Sequence, residues 1–414
     1  MRPSETSRHR PGSLSGMRAA AALATDPDPK EAARRATREA LEGLVDGAPD
    51  FAMVFASPHH LGEAGTVLET VQNVAGALPA IGCVGESVLA GRREVESGPA
   101  VAVWLASGLA KLGDVRTFHM EFLKTESGGV FSGWRFDLEP SGANILIADP
   151  FTFPVDLLLR HLNENAPATR IVGGMASGGI QFRESRLFLD ERVVHEGAVG
   201  VRLSGVEVRT LVSQGCRPVG SPFTVTGADG PLITELGGRP PLERLQELVA
   251  ALEPGDRERI ETGVQVGRVI QESGKTELGM GDFLVRSLAG VDPETGAIAV
   301  GDQVQVGETV QFHVRDAASA DEDLRSVLGR ELRTLGVRRP SAALLFTCNG
   351  RGSRLFDRPD HDASLVSSAL HDAPLAGFFC AGELGPVGGK NFLHGFTASL
   401  LLFLDEGGSG VRPS

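Results

Sequence analysis

The chain has 414 residues, 41% of them hydrophobic, and 53 acidic against 40 basic side chains give it a net charge of −13. That length and apolar content can supply core for two or three domains, while the acidity argues against nucleic acid or an anionic membrane as the main partner. No apolar run approaches the ~20 residues that cross a bilayer, and four scattered cysteines without a Cys-x-x-Cys pair fit a reducing compartment, so a cytoplasmic protein without membrane insertion is expected.

Residues 1–27 read as a disordered tail or as sequence upstream of a true start at Met17, since positions 1–16 are Arg-, Ser- and Pro-rich and lack the apolar stretch of a secretory signal. A helix is expected from Asp28, an N-cap followed by Pro29 and a capping-box Glu31, with Ala33, Ala36, Ala40, Leu41 and Leu44 on one face. A strand Phe51–Ala56 and a helix from about Leu61 to Leu78 follow. Arg92–Val95 and Ala100–Leu105 read as paired strands, Val115–Phe122 as a strand, and Lys124–Gly133 as a polar loop. Arg186–Asp190 and Ala198–Ser204 read as strands around a turn, with Val206–Gln214 continuing their sheet. The Gly-, Pro-, Ser- and Thr-rich stretch Gly215–Arg239 reads as a boundary, dividing the chain near 235 into halves 28–235 and 236–406, before a tail at 407–414. A helix Leu242–Leu252, a three-stranded meander of Phe283–Leu288, Ala297–Val300 and Thr309–Val314, and a helix opening at Asp321 complete the sequence of elements.

Three stretches share one plan: an apolar run, a helix-length segment, a small-residue turn, and another apolar run. They start at Phe51, Asn144 and Ala342, and turn at Gly82-Cys-Val-Gly-Glu86, at Gly173-Gly-Met-Ala176 and at Cys380-Ala-Gly-Glu383. The repetition predicts an α/β fold of internally repeated βαβ-like units, with mixed β-sheets covered by helices and two pseudo-equivalent halves. Its turns should gather at equivalent strand ends, where such folds bind ligands.

The densest polar cluster lies in the third copy: Cys348-Asn-Gly-Arg-Gly352, His361-Asp362, Gly382-Glu-Leu-Gly-Pro386, Lys390-Asn391 and His394. Arg351 between two glycines suits an anion clamp, because a guanidinium takes a carboxylate bidentately. Glu383 and Glu86, after related turns, suit a ligand ammonium, or else structural pairing with arginines. Asn349 suits local backbone groups, Lys390 and Asn391 a completed anion site or a solvated loop, and His394 a hydrogen-bonded core position. Cys348 with His361 as base and Asp362 as orienter makes a thiol hydrolase or transferase the catalytic alternative. His59-His60 are adjacent rather than at helical spacing, so no metal site is expected.

Those carboxy-terminal motifs, with Ala376–Pro386 and Phe392-Leu-His-Gly-Phe396, resemble the FIST domain family, and Gly82–Glu86 with Gly91–Val95 resembles its FIST N signature. The resemblance spans about residues 30–405 and implies a sensory domain of signal transduction, binding an amino acid or another small anion. With about 30 residues before the first helix, no F-box is expected, and a separate signalling protein would be the partner. Some relatives sense nitric oxide through haem on an axial histidine. None of the ten histidines here matches that position, so no cofactor is expected and haem stands as an alternative. A ligand-free interaction scaffold is the third reading.

Overall fold

A computed structural model describes residues 16–44, 47–125, 128–134, 142–270 and 278–404. The expectations for residues 1–15 and for the tail from 405 lie outside the described residues. The first copy comprises β1 (Arg18–Ala24), α1 (Pro29–Gly43), β2 (Phe51–Ala56), α2 (Ala64–Ala75), β3 (Ala80–Val84), β4 (Val88–Ala90), β5 (Arg93–Val95) and β6 (Val101–Ser107). After the single-turn α3 (Leu109–Leu112), the second has β7 (Val115–Thr125), β8 (Gly128–Ser132), β9 (Ala143–Ala148), α4 (Val155–Asn165), β10 (Ile171–Met175), β11 (Leu187–Leu189), β12 (Arg192–Val194) and β13 (Ala198–Leu203). The third opens with β14 (Val208–Gln214) and is then interrupted by a closed barrel. The barrel segment holds β15 (Cys216–Asp229), β16 (Leu232–Leu236), α5 (Pro241–Ala251), α6 (Pro254–Thr262), β17 (Val264–Val269), β18 (Phe283–Val291), β19 (Ile298–Val300) and β20 (Thr309–Arg315). The copy resumes with α7 (Ala317–Leu335), β21 (Pro340–Cys348), α8 (His361–Ala369), β22 (Leu375–Cys380), β23 (Glu383–Val387), β24 (Lys390–His394) and β25 (Thr397–Leu404).

The copies are interlocked. Sheet orders are β1-β6-β2-β3-β11-β12, β8-β7-β13-β9-β10-β23-β24 and β14-β25-β21-β22-β4-β5. The first and third sheets keep four strands of their own copy and the second keeps five, and each takes its edge hairpin from another: the first from the second, the second from the third, the third from the first. The expected pairings of Arg92–Val95 with Ala100–Leu105, and of Arg186–Asp190 with Ala198–Ser204, are therefore corrected. In each case the two strands lie in different sheets. An apolar run is buried equally well by either partner, so its pattern carries no record of which sheet receives it.

The recurring turn glycines have a steric cause. Gly82, Gly173 and Gly377 sit opposite Val54, Leu146 and Leu345 of the parallel neighbour. A Cβ there would lie 1.7, 1.9 and 1.7 Å from that neighbour's carbonyl oxygen. The inner faces of the three sheets meet in one core, where Phe55 stacks on Phe378 and Trp104 on Phe403. Each such ring contributes about 1.5–3 kcal/mol by leaving water. Helices α1 and α2 cover the first sheet, α4 the second, and α7 and α8 the third. The alanines of α1 let it lie close, with Ala32, Ala33, Ala36 and Ala40 fully buried.

Further expectations are corrected. Residues 18–24 belong to β1 rather than to the tail; their alanine-rich run lacks the usual strand composition. The Gly-, Pro-, Ser- and Thr-rich stretch 215–239 holds β15 and β16, the first two strands of the barrel. Val208–Gln214 starts the third sheet against β25 instead of extending the second. The expected meander breaks after β19, because β20 pairs with β15 and β17. Residues 128–132 of the expected loop are β8. Helix α7 is capped by Asp316, whose Oδ1 accepts from the Ser319 amide, which leaves Asp321 for another task.

Candidate functional site

The three turns come together and knit directly. The Gly178 amide donates to the Val84 carbonyl at 3.1 Å, and the Glu86 amide to the Ser177 hydroxyl at 2.8 Å, while that hydroxyl donates to the Phe379 carbonyl. The Met175 amide donates to Gly382, Ala381 to Met175, and Asn349 to Cys380. Gly174 is required where it is, since a Cβ there would sit 2.2 Å from the Cys380 sulfur.

Against this knot lies the segment from Cys348 to Phe356. Strand β21 ends at Cys348, and the Arg351 amide closes a turn on the Cys348 carbonyl at 2.8 Å. Gly352 then takes φ 60°, and a Cβ there would meet the Glu96 carboxylate at 2.7 Å. That carboxylate accepts from the Ser353 amide and hydroxyl. Arg354 pairs with Glu86, and Arg315 donates to the Gly350 carbonyl. The segment is thus strapped down by the first copy and by the barrel.

Beneath it, Arg351 is fully buried. Its Nε and Nη2 donate to the two oxygens of Asp362 at 2.6 and 2.8 Å. Thr347 also donates to Asp362, and His361 Nδ1 lies 2.9 Å from Asp362 Oδ1. Against its burial, which pushes the other way, Arg351 holds the Asp362 carboxyl well below the usual carboxylate range. His361 Nε2 lies 2.9 Å from Asp321 on α7, and its ring stacks on Phe356.

Glu383 opens β23 and is fully buried. Its Oε2 accepts from the Thr397 amide and hydroxyl at 3.1 and 2.8 Å. Burial, only partly offset by Thr397 and Arg351, pushes its pKa up to about 8. The Cys348 thiol is pushed up to about 12 by burial and by Glu383. Glu94 on β5, whose Oε1 caps α8 at the Ala363 amide, is likewise pushed up to about 8 by burial and by the charge of Asp362. Among the described residues, four buried polar atoms here have no partner within the protein: Arg351 Nη1, Glu383 Oε1 and Asn349 Oδ1 at the loop junction, and Glu94 Oε2 beside Asp362.

The structure therefore gathers Cys348, Asn349, Arg351 and Glu383, with Glu86 at the rim through Arg354. It does not bring in Lys390 and Asn391. Glu383 faces His394 across the hairpin while Val387 faces Lys390, so the two ends are about 13 Å apart. Asn391 instead accepts from the Ile171 amide and donates to the Thr169 carbonyl, pinning the hairpin to the second sheet. His361 is no base for Cys348, because both ring nitrogens are engaged by carboxylates. His394 is a core residue on the Gly385 carbonyl, its pKa lowered by burial to about 4. His361 and His394 are thus committed to these contacts, and His313 is enclosed in the barrel by Phe283 and Gly267. Sequence reading did not single out Thr397, Glu96 or Arg354. A buried arginine calls for an acid partner, and Asp362 supplies it here.

Comparison with known proteins agrees with the motifs. The family model for the FIST N domain matches residues 50–239, and that for the FIST C domain residues 241–386. An uncharacterized protein of Mycobacterium tuberculosis (strain ATCC 25618 / H37Rv) is 49% identical over 389 residues, 94% of this chain and 100% of the relative. One of Mycobacterium bovis is 48% identical over 390 residues, with the same shares covered.

Proposed function

The chain belongs to the FIST family, whose domains are generally assigned to signal-transduction sensing, and from that premise we propose that it is a small-molecule sensor with its receptor site at Cys348, Asn349, Arg351 and Glu383. The observation that carries this reading is the set of three unpartnered buried atoms on one loop junction. Buried polar groups without partners cost ~1–3 kcal/mol each, so they favour an occupant with matching donors and acceptors. Arg351 Nη1 offers donors and Asn349 Oδ1 an acceptor, and Glu383 Oε1 becomes an acceptor when a ligand ammonium beside it draws down its raised pKa. An α-amino acid supplies the complement, its carboxylate on Arg351 and its ammonium on Glu383 and Asn349; other small anions use the arginine alone.

Because Arg351 and Glu383 are enclosed, a ligand reaches them only when the 349–356 segment lifts. Lifting breaks Arg354–Glu86 and Ser353–Glu96, contacts made to the first copy. Binding would thereby change how the copies hold one another, which a separate signalling protein in the cytoplasm can read. Among the described residues no helix is long and apolar enough to cross a membrane. Thiol catalysis finds no support in a Cys348 thiol pushed up to about 12.

Thermal melts against the twenty amino acids and a set of small carboxylates test the proposal. At ~100 times Kd a true ligand adds ~2.7 kcal/mol, a rise of several degrees. Asn349→Ala and Glu383→Gln should each abolish the shift. No shift with any compound at millimolar concentration, or an equal shift in both variants, would refute it.

A further inference from the structure

A second cavity, separate from the loop junction, lies on the outer face of the third sheet between α7 and α8. Its volume is about 620 Å3, and Leu328, Leu332, Leu365 and Ala369 line it. That size falls in the roughly 300–1,000 Å3 range of small-molecule sites. Its charged groups are Arg325, Arg358, Asp360 and the edge of His361.

Those charges are unevenly matched. Arg325, Arg358 and His361 all lean on one carboxylate, Asp321: Arg325 forks across both oxygens, Nε to Oδ2 at 2.7 Å and Nη2 to Oδ1 at 3.1 Å, while Arg358 and His361 meet Oδ1 at 3.3 and 2.9 Å. Asp360 is committed elsewhere, accepting the Glu94 amide at 2.6 Å. The two guanidiniums keep side-chain exposures of 59% and 60%, so most of their N–H groups remain open to a second anion. An apolar floor with two half-engaged arginines at its rim matches one chemistry: an apolar tail ending in a single negative charge.

We propose that the α7–α8 groove binds a small amphipathic carboxylate, an acyl or aryl acid, with its tail on Leu328, Leu332 and Leu365 and its carboxylate on Arg358 and Arg325. The site is independent of the loop junction but is wired to it. A ligand that draws both arginines off Asp321 leaves that carboxylate to His361 alone. His361 Nδ1 in turn contacts the carboxylate that holds Arg351. Occupancy of the groove therefore alters the contacts of the residue on which Arg351 depends.

Calorimetric titration of the full chain with octanoate, with octanol as the uncharged control, tests this. Saturable one-to-one binding of octanoate is expected, with octanol and the R325Q/R358Q variant at least tenfold weaker, as loss of a charge-assisted pair requires. Equal binding of octanol, equal binding by the variant, or no saturation at ~10 mM would overturn the site. The His361 ring 15N signals should shift with octanoate, and saturable binding with those signals unmoved would overturn the wiring.

Discussion

Glu86 and Glu383 follow the corresponding strand in the first and third copies, yet they do different physical work. Glu86 keeps 31% of its side chain exposed and pairs with Arg354 at the surface. Glu383 is enclosed, accepts from the Thr397 amide and hydroxyl, and is pushed up by burial to about 8. The second copy puts Ser177 near the same junction, where its hydroxyl bridges the other two turns. Repetition of the backbone thus sets where the turns meet, while the neighbours of each turn decide whether an acid becomes a strut or a perturbed, ligand-ready group.

The largest effect should come from the buried ion pair beneath Glu383. Arg351→Met leaves Asp362 charged and unpaired, and urea denaturation should show a loss of about 3–5 kcal/mol. Arg354→Met, which breaks the exposed counterpart with Glu86, should cost under ~1 kcal/mol. Equal losses would break the comparison.

Glu383 also makes stability depend on pH. Its folded pKa is raised from 4.5 to about 8, so the folded state holds a proton that the unfolded chain has released between those values. The contribution is complete below pH 4.5 and is lost as pH rises through 8. Glu383→Gln should flatten the fall by ~1.4 kcal/mol per pH unit in that window, as urea denaturation at successive pH values can measure. Glu94, raised to about 8 as well, supplies the residual slope.

A smaller effect concerns the thiol. With its pKa pushed up to about 12, Cys348 should be alkylated far more slowly than a free cysteine at pH 7.5, as peptide mass spectrometry can measure. Glu86→Gln with Glu96→Gln should speed that reaction by loosening the strap, while global stability moves by no more than about 1 kcal/mol.

Much of this was legible in the sequence. The tripled strand–helix–turn plan located the turns and the Asp28 cap located α1. Partner choice was not legible: β4–β5, β11–β12 and β23–β24 cross between sheets because short apolar hairpins are indifferent to which sheet buries them. Nor was the role of Arg351 fully legible. Its two glycines suggested a clamp for a ligand, whereas Asp362, 11 residues on, already takes two of its three nitrogens. Lys390 and Asn391 lie close to Glu383 in sequence but at the other end of a hairpin, and only strand register reveals that separation.

The central claim is that a small polar ligand sits beside Cys348 under the 349–356 segment. Alkylation of Cys348, followed by peptide mass spectrometry with and without a stabilising compound from the thermal screen, tests it most directly. The ligand should protect Cys348 by at least tenfold at ~100 times Kd; a compound that stabilises the protein yet leaves the Cys348 labelling rate unchanged would place the receptor site elsewhere.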